Sequence, residues 1–217
     1  MYFRSRAEAG LQLAQQLLKY KNEQTTVVAL SDGGVVVGIQ IASLLHCPLT
    51  MLLTEPIELP GEIDPVAVID QEGIFTYNHM YSPGQLEDFD MEYHHYIEQL
   101  KLDKLNKMHR MLGRDGLISR DLVRDHNIIL VSDGFVTGFS LEAAAEYLKP
   151  VKVKKLIAAT PLASVGAVDL MHVMTDEIHC LSVVDNYIST GHYYDDNRLP
   201  SHETIIKAIS NIVAHWK

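Results

Sequence analysis

The chain has 217 residues, of which 47% are hydrophobic and 21% charged, and its formal net charge at pH 7 is −10. A chain of this length can bury a full hydrophobic core, so disulfide-stapled mini-folds and disordered chains are excluded. The acidic balance argues against nucleic acid or membrane as a partner, since both carry negative charge. No apolar run is long enough for a membrane span or a signal region, so we expect a cytoplasmic protein.

Cysteine and histidine usage gives no sign of a metal centre. Cys47 and Cys180 are far apart in sequence and outside any CxxC pair, so we expect two reduced thiols in apolar surroundings. The eleven histidines include no HExxH or HxH spacing. The sequence therefore predicts no metal held by protein side chains alone.

The amino-terminal half predicts an amphipathic helix followed by alternating strands and helices. The first helix begins at a capping box formed by Ser5 and Glu8 and continues to about Tyr20. The elements predicted after it are a buried strand at 25–30, a helix at 35–45, a strand at 48–53, and an insertion at 54–82 with hairpin strands at 66–69 and 73–77.

The second half continues the alternation. A long amphipathic helix is predicted at 86–112, with Gly113 as its stop. The remaining predicted elements are strands at 127–131, 153–160 and 177–184 and helices at 141–148, 165–174 and 201–217. This order predicts one α/β domain over residues 1–217, with a mostly parallel sheet flanked by helices. Residues 54–126 contain the insertion and the long helix.

Ligands of such folds bind at the carboxyl ends of the strands, which directs attention to the turn after 127–131. Gly134 and Gly138 allow close approach to the backbone there, and Thr137, Ser140 and the helix N-terminus offer hydrogen bonds to a phosphate dianion. Asp133 is placed to accept hydrogen bonds from sugar hydroxyls. An ordinary tight strand-to-helix turn with a capping serine is the alternative interpretation.

A second turn, Ser31 to Val35, follows the first strand and offers consecutive amides as an anion nest. The better-known fingerprints of nucleotide and hydrolase sites are absent: the sequence contains no GxGxxG, no GxxxxGK[ST] and no GxSxG. Neither a dinucleotide-binding fold of the Rossmann type, nor a P-loop, nor an α/β-hydrolase is therefore supported.

Residues 128–140, IILVSDGFVTGFS, resemble the thirteen-residue phosphoribosyl diphosphate (PRPP) signature of type I phosphoribosyltransferases. The whole chain is similar to one bacterial branch of that family. The matching segments are 3–6 (FRSR), 31–35 (SDGGV), 59–62 (LPGE) and 190–196 (TGHYYDD). The resemblance implies the type I phosphoribosyltransferase fold with a hood-type insertion.

The resemblance also implies roles for individual residues. Asp133 becomes the catalytic residue, which holds the ribose hydroxyls, and Tyr187 and Tyr193 belong to a hood over the acceptor. The turn that binds the phosphate of PRPP comprises Ser132, Gly134, Phe135, Val136, Thr137, Gly138, Phe139 and Ser140. The pyrophosphate loop, which works together with Mg²⁺ if PRPP is the ligand, comprises Ser31, Asp32, Gly33 and Gly34. Packing or a dimer contact is the alternative role for the tyrosines.

This sequence departs from the family pattern where the diphosphate binds. Asp32 stands where the family has Arg, Glu55 lies where the next strand usually ends in a Lys-containing segment, and Ser132 replaces the first signature acid. A unit charge pair at 4 Å is worth roughly 4 kcal/mol at an effective dielectric of 20, so repulsion of the diphosphate is expected. Phe139 replaces a small residue of the turn.

Two functions remain open at this point. The first is a phosphoribosyltransferase-like protein that binds PRPP or another phosphorylated ribose or nucleotide, with weak or absent transferase activity. The second is a non-catalytic regulatory or oligomerising module of the same fold. Both have a small phosphorylated ligand or a second copy of the chain as partner, and neither involves nucleic acid or membrane.

Overall fold

The computed structural model describes residues 2–112 and 122–215, and these form two compact units. The first unit contains residues 2–52 and 122–215, and the second contains residues 53–112. The predicted stop at Gly113 and the last two residues of the predicted carboxyl-terminal helix lie outside the described residues.

The first unit is a parallel sheet with helices. Its strands are β1 (Thr25–Ala29), β2 (Leu49–Met51), β6 (Asn127–Val131), β7 (Lys155–Ser164) and β8 (Glu177–Val184). Its helices are α1 (Arg6–Gln16), α2 (Asp32–Leu45), α4 (Phe139–Leu148), α5 (Val165–Met174) and α6 (His202–His215). The strand order is β2-β1-β6-β7-β8, and every neighbouring pair is parallel. The predicted fold class is confirmed.

The sheet is buried on both faces, which explains its continuous apolar strands. On one face, alternate strand residues such as Val28, Leu130 and Ala158 pack with side chains of α4 and α5. On the other face, α2 comes so close at Gly38 that a Cβ there would lie 3.1 Å from Val131 and 3.3 Å from Val27. Helix α2 is thereby fixed against the centre of the sheet.

The second unit is a small antiparallel sheet with one long helix. Its elements are β3 (Thr54–Ile57), β4 (Ala67–Asp70), β5 (Phe75–Tyr77) and α3 (Pro83–Leu112). The strand order is β3-β4-β5, and its apolar side chains pack with those of α3, among them Ile97 and Met108. The predicted hairpin corresponds to β4 and β5. The strand β3 was not predicted, because Pro56 removes a backbone donor, but β3 is an edge strand and tolerates this.

The predicted and observed bounds of the elements agree best where the sequence pattern was strongest. The predicted bounds of β6, α5 and β8 are those observed. Helix α2 begins three residues before the predicted start, because Ser31 caps it. The first predicted helix begins as expected at Ser5, whose side chain accepts a hydrogen bond from the N–H of Glu8, but α1 ends at Gln16.

Both cysteines are free thiols in the structure. Cys47 is buried, and this burial raises the pKa of its thiol to about 12, so the thiol stays protonated at neutral pH. Cys180 lies at the edge of the core on β8, and burial raises its pKa as well. Cys47 is therefore the buried apolar side chain that the sequence predicts, whereas Cys180 is only partly buried and its thiol donates to the carbonyl of Ser182.

Candidate functional site at the carboxyl edge of the sheet

The two turns singled out in the sequence lie side by side. Strands β1 and β6 are neighbours, with Ala29 paired to Val131, and the N–H of Leu30 donates to the carbonyl of Val131 over 2.9 Å. Both turns therefore open at the same carboxyl edge of the sheet, where α/β folds bind their ligands.

The first turn is the beginning of helix α2. The Ser31 hydroxyl accepts the N–H of Gly34 at 2.8 Å, and the Ser31 carbonyl accepts the N–H of Val35 at 2.9 Å. Among the described residues, the N–H groups of Asp32 and Gly33 make no hydrogen bond. The predicted anion nest thus takes the form of a helix N-terminus with two free N–H groups.

The glycines of the first turn are needed for space. A Cβ on Gly34 would lie 2.7 Å from the carbonyl oxygen of Val131, and a Cβ on Gly33 would overlap the carboxylate of Asp133. Neither glycine has a positive φ. These two residues are glycine because helix α2 begins directly against the end of β6.

Both acidic side chains that the sequence marks as repelling a diphosphate make hydrogen bonds within the protein. Nδ1 of His202 lies 2.9 Å from Oδ1 of Asp32. In the second unit, Glu55 accepts hydrogen bonds from Lys107 at 2.6 Å and Lys104 at 3.2 Å. Burial opposes the charge of Glu55, but the two lysines keep its pKa below the ordinary value. Each of these two carboxylates therefore has a hydrogen-bonding partner within its own unit.

Asp133 lies at the centre of a buried polar cluster. Its carboxylate accepts hydrogen bonds from Nε of Arg6 at 2.7 Å and from the Ser31 hydroxyl at 2.9 Å. Its backbone carbonyl accepts the hydroxyl of Tyr194 at 2.6 Å. Burial, together with the charge of Asp133, raises the pKa of Tyr194, which keeps this hydroxyl protonated. Asp133 is only 8% exposed, and each of its carboxylate oxygens already has a partner within the chain.

Ser132, at the position of the first signature acid, bonds within the turn. Its hydroxyl donates to the carbonyl of Gly134 at 3.1 Å and lies 3.3 Å from the N–H of the same residue. Ser132 is buried. It therefore supports the geometry of the turn and supplies no carboxylate to a sugar.

Near the start of the second turn, the backbone of Phe135 pairs with β7. The N–H of Phe135 donates to Leu162, and the Phe135 carbonyl accepts the N–H of Ser164, both at 2.9 Å. Phe135 is buried and belongs to the core cluster under α4 and α5. Phe139 is also buried, so its ring packs within the protein. Val136 and Thr137, between these two aromatic residues, are exposed.

The same turn carries several free backbone donors. Gly138 has a φ of 74°, the left-handed conformation that favours glycine, and the N–H of Phe139 is bonded to the Thr137 hydroxyl at 3.3 Å. Across the described ranges, the N–H groups of Val136, Thr137, Gly138 and Ser140 find no hydrogen-bond acceptor. Free N–H groups at the start of a ten-residue helix are the feature that binds phosphate in many α/β proteins.

The predicted hood tyrosines have different surroundings. Tyr193 is buried, and its hydroxyl donates to the carbonyl of Asn186 at 3.1 Å, so it packs inside the protein. Tyr187 is half-buried, with its hydroxyl 3.1 Å from that of Thr190. A Cβ on Gly134 would overlap the Tyr187 hydroxyl, so Tyr187 lies directly against the second turn.

Sequence reasoning missed the functional environment of Arg6. The sequence offered it only as part of the FRSR segment, yet its guanidinium is buried and bonds to Asp133 and, over 3.0 Å, to Asn197. These partners lie 127 and 191 residues away along the chain. A buried arginine at the first position of an otherwise amphipathic helix carries no local signal of such contacts.

Within residues 2–112 and 122–215, no group of three or more His, Cys, Asp or Glu side chains is arranged to hold a metal ion. The carboxylate of Asp133 is taken by Arg6 and Ser31. The side chains present therefore do not fit a magnesium ion held by the protein alone. The helices of the same ranges include none that is both long and apolar enough to span a membrane.

Solved structures resemble the chain over nearly its whole length. A Thermus thermophilus protein, TT1426, is 26% identical, with a TM-score of 0.74, and the match covers 100% of this chain and 99% of that one. A purine phosphoribosyltransferase from Pyrococcus horikoshii Ot3 matches at 14% identity with a TM-score of 0.50, over 92% of this chain and 95% of that one. The chain has the type I phosphoribosyltransferase fold.

Curated sequences agree with this assignment. A Mycobacterium tuberculosis protein, found in strains CDC 1551 and H37Rv, is 25% identical over 206 residues and is provisionally named a phosphoribosyl transferase. The match covers 94% of this chain but 45% of that protein, so the chain spans about half the length of the curated relatives it matches. No protein-family model matches the chain. The predicted resemblance to the type I phosphoribosyltransferases is confirmed.

Proposed function

We propose that this phosphoribosyltransferase-like chain binds a phosphorylated ribose or a nucleotide, with transferase activity that is weak or absent. The proposal rests on the turn at 134–140, where four N–H groups at the N-terminus of α4 have no partner among the described residues. A phosphate monoester provides the acceptors that these groups need, and the helix dipole favours its charge.

The exposed side chains of the turn, those of Val136 and Thr137, are small. Its two large aromatic residues, Phe135 and Phe139, are buried in the protein. Gly138 adopts the left-handed conformation, with a φ of 74°, directly before α4 begins. The exposed Thr137 and half-buried Ser140 add hydroxyl donors.

The environment of Asp133 supports the second part of the proposal. In the family, transfer develops positive charge on the ribose and negative charge on the leaving diphosphate, so oriented charges carry the catalysis. In this chain the Asp133 carboxylate is held by Arg6 and Ser31, and Ser132 supplies no second carboxylate. The same observation also favours the alternative, a non-catalytic regulatory or oligomerising module that keeps the phosphate site.

Magnesium enters the proposal only as a companion of PRPP. When bound to the diphosphate it supplies charge compensation for the leaving group. The described side chains offer it no ready set of ligands. Its part in this chain is therefore to neutralise the ligand, while the turn at 134–140 binds the 5-phosphate.

Titration calorimetry tests the binding step. We expect ribose 5-phosphate to bind and unphosphorylated ribose not to bind. Thr137→Val should weaken ribose 5-phosphate binding by about tenfold, the value of one hydrogen bond to a charged group. The matched variant Thr204→Val, at an exposed threonine of α6, should not change it. A wild-type chain that does not bind ribose 5-phosphate would show that the proposal is wrong.

A turnover assay tests the activity. With PRPP, Mg²⁺ and a panel of purine and pyrimidine bases, we expect pyrophosphate release at or near the rate without protein. Rapid release with any base would overturn the statement that transferase activity is weak or absent. The binding assignment would survive that result.

A further inference from the structure

Arg6 is a charged residue that the protein buries almost completely. Its position follows from the cap at Ser5, whose side chain accepts the N–H of Glu8, so that Arg6 becomes the first residue of α1. Its Nε donates to the carboxylate of Asp133 at 2.7 Å, and the side chains of the two partners are only 5% and 11% exposed. Water therefore does little to weaken this ion pair.

Two further contacts hold the guanidinium in place. Its Nη2 donates to Oδ1 of Asn197 at 3.0 Å, and its central carbon lies 4.6 Å from the centre of the Tyr194 ring. The hydroxyl of Tyr194 in turn donates to the backbone carbonyl of Asp133 at 2.6 Å. The cation and the carboxylate thus share neighbours, which keeps the pair together.

The carboxylate of Asp133 is occupied on both oxygens. Oδ2 accepts Nε of Arg6, and Oδ1 accepts the hydroxyl of Ser31 at 2.9 Å. The same carboxylate lies directly against Gly33, where an added Cβ would overlap it. Both oxygens that a ribose diol would need are therefore already bonded within the chain.

Exchange of Arg6 for a sugar hydroxyl is unfavourable. A hydroxyl is a neutral donor, and its hydrogen bond to a carboxylate is weaker than that of a guanidinium. The exchange would also leave a buried cation without its anion, which is strongly destabilising. The turn at 134–140 differs, because four of its N–H groups have no partner among the described residues. A phosphate finds unpaired donors there, whereas a sugar hydroxyl meets a carboxylate that is already bonded.

We propose that Arg6 sets the ligand specificity of this site by keeping Asp133 from sugar hydroxyls, so that the chain binds phosphate monoesters through the phosphate and does not distinguish ribose from 2-deoxyribose. Arg6 acts through Asp133 and does not itself contact the ligand. The ligand class then includes 2-deoxyribose phosphates as well as ribose phosphates. The inference rests on the proposed function, because it assumes that a phosphate binds the turn at 134–140.

Titration calorimetry with two sugar phosphates tests the specificity of the wild-type chain. Ribose 5-phosphate and 2-deoxyribose 5-phosphate differ only in the hydroxyl group on C2. We expect their affinities to agree within about twofold, whereas one hydrogen bond to a charged group would separate them by about tenfold or more. A preference of that size for ribose 5-phosphate in the wild type would overturn the proposal.

The variant Arg6→Ala tests whether Arg6 is the cause. It releases the Asp133 carboxylate, so the folded variant should prefer ribose 5-phosphate over 2-deoxyribose 5-phosphate by about tenfold. Arg4→Ala, at an exposed arginine two residues earlier, is the matched control and should keep the wild-type ratio. Circular dichroism melting checks the fold of both variants. A folded Arg6→Ala variant with the wild-type ratio would show that Arg6 does not set the specificity.

A measurement on the wild type covers the case in which Arg6→Ala does not fold. Nuclear magnetic resonance follows the Nε–H group of Arg6, whose burial and hydrogen bond to Asp133 should make its exchange with water slow. At saturating ribose 5-phosphate we expect this signal to keep its position and its slow exchange, because the ion pair persists. Exchange as fast as that of the exposed Arg4 would show that the sugar displaces Arg6, and would overturn the proposal.

The outcomes separate this inference from the proposed function. Equal binding of the two sugar phosphates, with unphosphorylated ribose not bound, supports both. A wild-type preference for ribose 5-phosphate overturns the role of Arg6 and leaves the proposed function standing. If neither sugar phosphate binds, the proposed function fails, and the inference about specificity fails with it.

Discussion

The turns after β1 and β6 look alike in sequence but differ in structure. Each is short, carries two glycines and leads into a helix. In the first turn, Gly33 and Gly34 make room for β6, and the acidic side chain is paired with His202. In the second, Gly138 has a positive φ, and four N–H groups have no partner in the described part of the chain. Glycine in a turn can thus serve close packing, as at Gly33 and Gly34, or an unusual backbone conformation, as at Gly138.

The largest expected effect concerns the residue that joins the two turns. Asp133→Ala would leave the buried Arg6 guanidinium without its anion and should lower the free energy of unfolding by about 3–5 kcal/mol. Urea denaturation measures this loss. Residues 134–140 of the second turn form no ion pair with any described residue, so we expect no single side chain there to have a comparable effect on stability.

A double-variant cycle sharpens that expectation. Because Arg6 and Asp133 are in direct contact, Arg6→Gln combined with Asp133→Ala should cost less than the sum of the two single changes. Additive losses would mean that the pair is not coupled, and the first turn would then be held by its backbone contacts alone.

The close packing around Gly33 predicts the next largest loss of stability. Gly33→Ala should lower the free energy of unfolding by about 2–3 kcal/mol, because the added Cβ overlaps the buried Asp133 carboxylate. Gly166→Ala is the matched control, since a Cβ there has no neighbour within 4 Å, and alanine is the better helix former. Its melting temperature should stay the same or rise. Equal effects at the two positions would refute the packing role of Gly33.

The left-handed conformation of Gly138 predicts a smaller loss of stability on substitution, together with a larger loss of ribose 5-phosphate binding. Gly138→Ala must hold alanine at a φ of 74° and places its Cβ 2.9 Å from Leu170, which together should cost about 1–2 kcal/mol. Calorimetry should show ribose 5-phosphate binding falling by more than the stability change explains, because the free N–H groups are redirected. Wild-type affinity in the Gly138→Ala variant would contradict the phosphate site.

Particular residues show which parts of the structure could be predicted from the sequence. Strands β6 and β8 were predicted from their apolar runs, and the start of α1 from the cap at Ser5. These predictions succeeded because burial and capping leave local patterns in the sequence. The position of the 134–140 turn followed from the strand before it. The pairing of Arg6 with Asp133 and of Asp32 with His202 was beyond reach, since each joins residues more than a hundred positions apart.

The smallest effect is expected at the opposite end of the sheet, where no ligand is proposed. Glu177, at the start of β8, accepts hydrogen bonds from Lys155 at 2.6 Å and Tyr20 at 2.8 Å and pairs with Lys19. Burial opposes its charge, but these partners hold the pKa of Glu177 well below the ordinary value of 4.5. The ionised carboxylate therefore stabilises the folded chain at neutral pH.

The sign of the pH dependence follows from that lowered pKa. The stabilisation is complete above about pH 4.5 and is lost as the pH falls towards the folded-state pKa, because protons bind the unfolded chain first. Glu177→Gln should therefore lower the free energy of unfolding by about 1 kcal/mol at pH 7, with the difference closing in acid. Glu146→Gln, which breaks an exposed pair with Lys149, should change little at any pH. Ribose 5-phosphate affinity should be the same in both variants, since neither residue lies at the carboxyl edge of the sheet. A loss of this affinity in Glu177→Gln alone would mean that the two ends of the sheet are coupled.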